Sequence, residues 1–299
     1  MLKSVGILAV VALSLASCVT TGISFDSKAT DMENNPEKVS GLLFKPKGTG
    51  PFPVVVLLHT CGGPRQHTTR DWPDYLTGLG YVVFSIDSFG PRLSSSCKTS
   101  TGRLLISYQA KDALGALDYL ATLSFVDIDK AAVMGFSSGA MSINQEIVAN
   151  PVSSGIAVSS KGRKFKAAIP VYGTCRGIYK HSADDIPTLA IVAENDYRHA
   201  DACIDKADEF DGIDAFVIEG AEHAFDSTEA DGRQDLMGSI MRYSGSATAK
   251  ARELTKAFLA YHLLGLPVEK IWKQTRAKRK PWERDASWPT LPSRIKIGQ

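Results

Sequence analysis

Little in this chain points to nucleic acid. The formal net charge is only +2, from 34 Lys and Arg against 32 Asp and Glu, so no basic surplus stands ready to neutralise phosphates. No nucleotide-binding glycine loop occurs, and no spacing of Cys and His follows a zinc-finger pattern. Long apolar runs are scarce too. The one continuous example covers residues 5–16, which is too short to span a bilayer. Cysteine and histidine are sparse, at five and six residues, few enough to be weighed one by one. What is present is ordinary globular material, 44% apolar and 22% charged. Its 299 residues suffice for one large domain with a well-buried core.

The N-terminus reads as a targeting segment. Lys3 supplies a positive end, residues 5–16 the apolar centre, and Leu15-Ala16-Ser17-Cys18 resembles a bacterial lipobox. Residues 1–17 are therefore expected to be a lipoprotein signal peptide and Cys18 the lipidated residue, the alternative being an ordinary signal with a chance cysteine. With no second apolar span, the mature protein is expected to be anchored to a membrane rather than to cross it. Val19, not an aspartate, follows the cysteine, which favours the outer membrane in a cell with two membranes. Export would leave Cys61, Cys97, Cys175 and Cys203 for two disulfides, with three pairings open. A zinc site drawn from Cys175, His181, His199 and Cys203 is the rival, though these residues lack the close paired spacing of structural zinc.

Residues 18–36 read as a linker that holds a first short strand near 23–25. Apolar, β-branched runs at 39–44, 53–58, 81–86, 131–134, 167–171, 188–192 and 215–218 predict strands. Helical spacing at 104–123 and 248–264 falls between or after them, and Gly265-Leu266-Pro267 is a helix stop. Alternation of this kind predicts an α/β protein over residues 37–266 with a mostly parallel sheet, whose functional groups gather at the carboxyl ends of the strands. Residues 267–299 are basic and hold Trp272, Trp282 and Trp288. That segment is read as an extension packed by its tryptophans, with contact to an anionic envelope surface as the alternative.

Chemistry is concentrated in Gly135-Phe136-Ser137-Ser138-Gly139, which follows an apolar strand and precedes a helix-like stretch. A serine hydroxyl must be deprotonated and must project toward substrate, and a Gly-x-Ser-x-Gly turn meets the second need. Ser137 is the nucleophile in this register, because Ser138 would put Phe136 where the first glycine belongs. A base and an orienting acid must follow in the order Ser, Asp, His. His59 and His67 precede Ser137, His181 precedes the strand expected to carry the acid, and His262 lies within the last helix. His223, just after the strand at 215–218, remains. Asp196, beyond the end of the strand at 188–192, is the preferred acid over Glu194 and Asp201, with a helix N-cap as its structural alternative. Two backbone N–H groups are needed for an oxyanion hole. Ser138 would give one, and the loop His59-Thr60-Cys61-Gly62-Gly63 the other, from Cys61 or alternatively Thr60.

Taken with Asp87-Ser88-Phe89-Gly90-Pro91-Arg92, Glu194-Asn195-Asp196 and His223-Ala224-Phe225, these segments resemble the dienelactone hydrolase family of α/β hydrolases, in family order, over roughly 39–264. The resemblance implies the α/β-hydrolase fold, hydrolysis of esters or lactones, and no metal or organic cofactor. It also favours pairing Cys61 with Cys97 and Cys175 with Cys203, each pair in loops after neighbouring strands. Two departures stand out. The name-giving enzymes use cysteine where this chain has Ser137, and the arginine that follows their histidine is replaced by Asp226 and Ser227. Arg92 is left as the candidate for binding a substrate anion, and a neutral ester becomes a better fit than dienelactone.

The sequence thus leads to an exported, lipid-anchored serine hydrolase. It would work on a small-molecule ester or lactone through Ser137, His223 and Asp196, with no nucleic-acid partner. A peptidase or acyltransferase with the same triad, or a non-catalytic envelope-binding lipoprotein, are the alternatives.

Overall fold

A computed structural model describes residues 18–97, 106–149, 156–181, 185–235 and 238–273. The expected signal segment, the Cys18 side chain and the tail from 274 onward, with Trp282 and Trp288, lie outside the described residues. Eight strands form one sheet in the order β1-β2-β4-β3-β5-β6-β7-β8. The two edge pairings, β1 (Cys18–Thr30) with β2 (Pro36–Lys45) and β2 with β4 (Val82–Asp87), are antiparallel. β3 (Phe52–Leu58), β5 (Val126–Phe136), β6 (Ala167–Val171), β7 (Thr188–Ala193) and β8 (Ile213–Ile218) continue the sheet in parallel.

Parallel strands require helical crossovers, and these cover both faces. That is why β3 is apolar without interruption. Val54, Val56 and Leu58 face a core shared with α2 (Ile106–Leu120) and α4 (Tyr197–Glu209). Val55 and Leu57 face one shared with α1 (Trp72–Gly78) and α5 (Gly245–Leu264). All five are 0% exposed, and burial of each such side chain stabilises the fold by about 1.5–3 kcal/mol. Ser244 caps α5 by accepting from the Ala247 N–H at 3.3 Å. Trp272, at the start of the C-terminal extension, is buried against Phe258 and Tyr261 and donates its Nε1–H to Asp214 at 3.0 Å.

The reading of 18–36 as a linker is corrected. Residues Cys18–Thr30 form a full strand whose inward positions are Phe25, Ser27 and Ala29, with Ser24 and Asp26 exposed between them. A serine at an inward position hides the alternation in the sequence. Ser27 is accommodated because its Oγ donates to the buried Asp112 of α2 at 2.5 Å.

Candidate active site

The turn after β5 carries Ser137, followed by the short helix α3 (Ser138–Ile143). The positive φ of this turn, 52°, falls on Ser137 itself, a strained backbone that holds the hydroxyl away from the sheet. The flanking glycines serve close approach instead. A Cβ on Gly135 would lie 2.6 Å from the Gly139 carbonyl carbon, and one on Gly139 2.7 Å from the Leu58 oxygen. Any side chain at either place would push the turn off the ends of β3 and β5. Two other residues at the site, Tyr172 and Ala224, also have positive φ, at 39° and 53°.

The structure brings Ser137, His223 and Asp196 together. His223 Nε2 is 3.0 Å from Ser137 Oγ, and its Nδ1 is 2.5 Å from Asp196 Oδ2. With Nδ1–H donating to the carboxylate, Nε2 presents the lone pair that accepts from the serine hydroxyl. His223 and Asp196 are both buried, and Ser239 Oγ donates to the second Asp196 oxygen at 3.2 Å. Asp196 occupies the N-cap position of α4, yet its side chain makes no capping bond. The carboxylate is directed to the histidine instead. Glu194 accepts from the Gly220 N–H at 2.8 Å and Asp201 lies within α4, so neither takes this place.

Below the imidazole sits a second polar group that the sequence did not announce. The Tyr172 ring meets His223 edge-on at 5.0 Å between centroids. Its hydroxyl donates to Asp226 at 2.7 Å, and Trp72 Nε1–H donates to the other Asp226 oxygen at 2.7 Å. Burial, together with Asp226, pushes the Tyr172 phenol well above its ordinary range, so it stays a donor. Asp226 thus has a definite job at the position where the family's arginine is missing. Asp235, which lines the cavity beside Ser137, has its Oδ2 3.9 Å from His223 Nε2.

The loop after β3 is held from beneath by His59. The Ser88 N–H donates to His59 Nε2 at 3.2 Å, which leaves Nδ1–H to donate to the Thr60 carbonyl at 2.7 Å. The Gly63 N–H reaches the same carbonyl at 3.1 Å. Because the peptide is planar and trans, fixing the Thr60 C=O also fixes the opposite direction of the Cys61 N–H. Burial lowers the His59 pKa to about 4, so this brace is neutral near pH 7. Ser138 begins α3, where a helix has no internal partner for its N–H.

Cys61 is bonded to Cys97, and Cys175 to Cys203. Both sulfurs of the alternative zinc set are thereby used, and His181 Nδ1 is taken by the Val148 carbonyl at 3.1 Å; the His199 side chain lies outside the described residues. Arg92 is a correction. It is bonded to Asp112 at 2.8 and 2.9 Å, to Glu37 at 2.5 Å and to the Ser88 carbonyl at 2.7 Å. These bonds make a buried ion pair that joins the loop after β4 to α2 and β2, and Arg92 is not among the residues that line the cavity beside Ser137. Arginines do reach the cavity beside Ser137, but they are Arg65 and Arg233. That cavity, about 240 Å³, is also lined by Thr60, Cys61, His67, Ser137, His223 and Met241.

Known proteins resemble this chain to different depths. The Bacillus subtilis (strain 168) protein YtaP, named as a hydrolase, is 32% identical over 129 residues, 36% of this chain and 43% of its own. Feruloyl esterase B of Thermothelomyces thermophilus is 28% identical over 141 residues, 45% of this chain and 46% of its own. This chain therefore spans less than half the length of these curated relatives. Among solved structures, the ferulic acid esterase from Streptomyces cinnamoneus has a TM-score of 0.61 at 17% identity, covering 90% of this chain and 96% of that one. A likeness at that identity speaks for the fold, and the fold is that of the α/β hydrolases, as the sequence leads one to expect. The profile of the dienelactone hydrolase family matches residues 39–263. Matched over well more than half its length, the chain belongs to the dienelactone hydrolase family.

Proposed function

We propose that this protein hydrolyses a small-molecule carboxylic ester or lactone with Ser137 as nucleophile. The observation that carries this reading is His223, which touches Ser137 Oγ through one nitrogen and Asp196 through the other. His223 Nε2 takes the serine proton as Oγ bonds to the ester carbonyl carbon. The carbonyl electrons move to oxygen, where the Cys61 and Ser138 N–H groups receive the charge. The imidazolium then gives its proton to the leaving alcohol oxygen as the C–O bond breaks. Water, deprotonated in turn by His223, attacks the acyl-enzyme and releases the acid. Asp196 keeps the imidazole in the useful tautomer. The family membership supports ester-bond chemistry, and two relatives are named as feruloyl or ferulic acid esterases. Ser137→Ala should reduce turnover of short 4-nitrophenyl esters by about 10⁴-fold or more, with the circular dichroism unchanged. Unaltered turnover in that variant would overturn the mechanism.

An exported, lipid-anchored location belongs to the same proposal. Residues 5–16 and the Leu15-Ala16-Ser17-Cys18 sequence support it, as do two disulfides, which persist in oxidising compartments. No described helix is long and apolar enough to cross a membrane. Expressed in a bacterium, Cys18→Ser should move the protein from the membrane fraction to the soluble one. Retention with the membranes would count against the anchor.

A further inference from the structure

We propose that the ester taken by this site carries a hydroxyl group and that His67 is the residue that recognises it. The inference rests on Ser137 being the nucleophile and concerns the same cavity. His67 opens a π-helical turn, His67–Asp71, that leads into α1. Its ring is 2% exposed, lines the cavity with Ser137 and His223, and stands edge-on to Phe136, the residue before the nucleophile, at 5.3 Å.

Neither ring nitrogen of His67 has a hydrogen-bond partner among the described residues. Buried polar atoms are nearly always paired, and the other buried histidines show it. His59 and His223 engage both nitrogens, and His181 engages one. A ring kept only for packing would be better served by phenylalanine or leucine, because two open polar atoms oppose burial. The combination of burial, cavity lining and no protein partner points to a partner that arrives with the substrate.

The character of that partner follows from the ring's charge. Burial holds the His67 pKa below its usual value, so near neutrality the ring offers one N–H donor and one lone-pair acceptor. A carboxylate could use only the donor, and a cation only the acceptor. A hydroxyl both donates and accepts, so it can meet either nitrogen. An aliphatic hydroxyacyl group, a phenol on an aromatic acyl group and a polyol leaving group all present this chemistry.

The test uses the full chain and matched esters that differ by one hydroxyl function. Suitable pairs are 4-nitrophenyl 3-hydroxybutanoate with the butanoate, methyl 4-hydroxycinnamate with the cinnamate, and 2,3-dihydroxypropyl butanoate with propyl butanoate. The wild-type chain should favour the hydroxylated member of at least one pair by about tenfold or more in kcat/KM, and the favoured pair identifies the source of the hydroxyl. His67→Phe should bring that ratio close to unity, while His67→Gln, which keeps a donor and an acceptor, should restore part of it. A wild-type chain with no preference in any pair overturns the proposal without recourse to a variant. So does a preference that survives in folded His67→Phe. Either result could stand beside an inactive Ser137→Ala, which would leave the serine mechanism intact and remove only the hydroxyl reading.

Discussion

Asp196 shows how one residue's chemistry can be decided by where its neighbours end. It stands at the N-cap of α4, a place where aspartate commonly serves a helix, but its oxygens go to His223 Nδ1 and Ser239 Oγ. Replacing it with asparagine would keep the size and remove the charge. The amide NH₂ could also favour the wrong imidazole tautomer. Asp196→Asn should therefore lower kcat by about 10³–10⁴-fold with a smaller change in KM, measured on a 4-nitrophenyl ester. A loss of less than about tenfold would mean that the carboxylate caps or braces and does not assist the base. At this scale the sequence was informative where the residues lie in ordered motifs. Ser137, Asp196 and His223 each follow a recognisable strand. Tyr172, Asp226 and Asp235 were not legible as site residues, because their positions depend on which strand ends lie side by side. Arg92 was misjudged for a related reason, since its partner Asp112 lies on a helix whose facing residues only the fold reveals.

Among the elements, the loop after β3 has the largest share of devices. His59 and Gly63 hold the Thr60 carbonyl, the Cys61–Cys97 bond ties the loop to the segment after β4, and the Cys97 N–H donates to the Cys61 carbonyl at 2.9 Å. The cross-link closes a span of 36 residues, for which chain entropy gives about 4 kcal/mol of stabilisation, an upper figure for real proteins. Cys97→Ala should lower the unfolding free energy by about 2–4 kcal/mol in urea and lower kcat more than it raises KM, since the loop orients a backbone donor rather than a binding pocket. A variant as stable as the wild type, or one with an altered KM and an unchanged kcat, would show that the bond does not brace this loop. The glycines and cysteines of the loop were visible in the sequence, and the pairing came with the family resemblance. The His59 brace was not visible, because it depends on Ser88 from the next strand. β1 was underestimated in a similar way. Its serine at an inward position reads as polar linker until Asp112 is placed beneath it.

Over the whole molecule, the buried histidines make stability depend on pH in a stated direction. His59 and His67 are both held below the usual histidine pKa by burial, His59 at about 4. In the unfolded chain these rings take up protons near pH 6.5. Between the two values the unfolded state binds protons that the native state refuses, so stability falls as pH falls. The contribution is present in full above about pH 6.5, and for His59 it is used up by about pH 4. Asp112 works in the opposite sense, because burial raises its carboxyl above the ordinary value of 3.8. It takes up its proton in the native state first, and so offsets part of the loss. From about pH 6.5 to about pH 5, His59 alone should cost roughly 2 kcal/mol. Urea unfolding at steps through this range should show the decline. His59→Gln should flatten the slope even where it lowers the stability at neutral pH. A slope in His59→Gln as steep as that of the wild type would mean that His59 does not carry the decline.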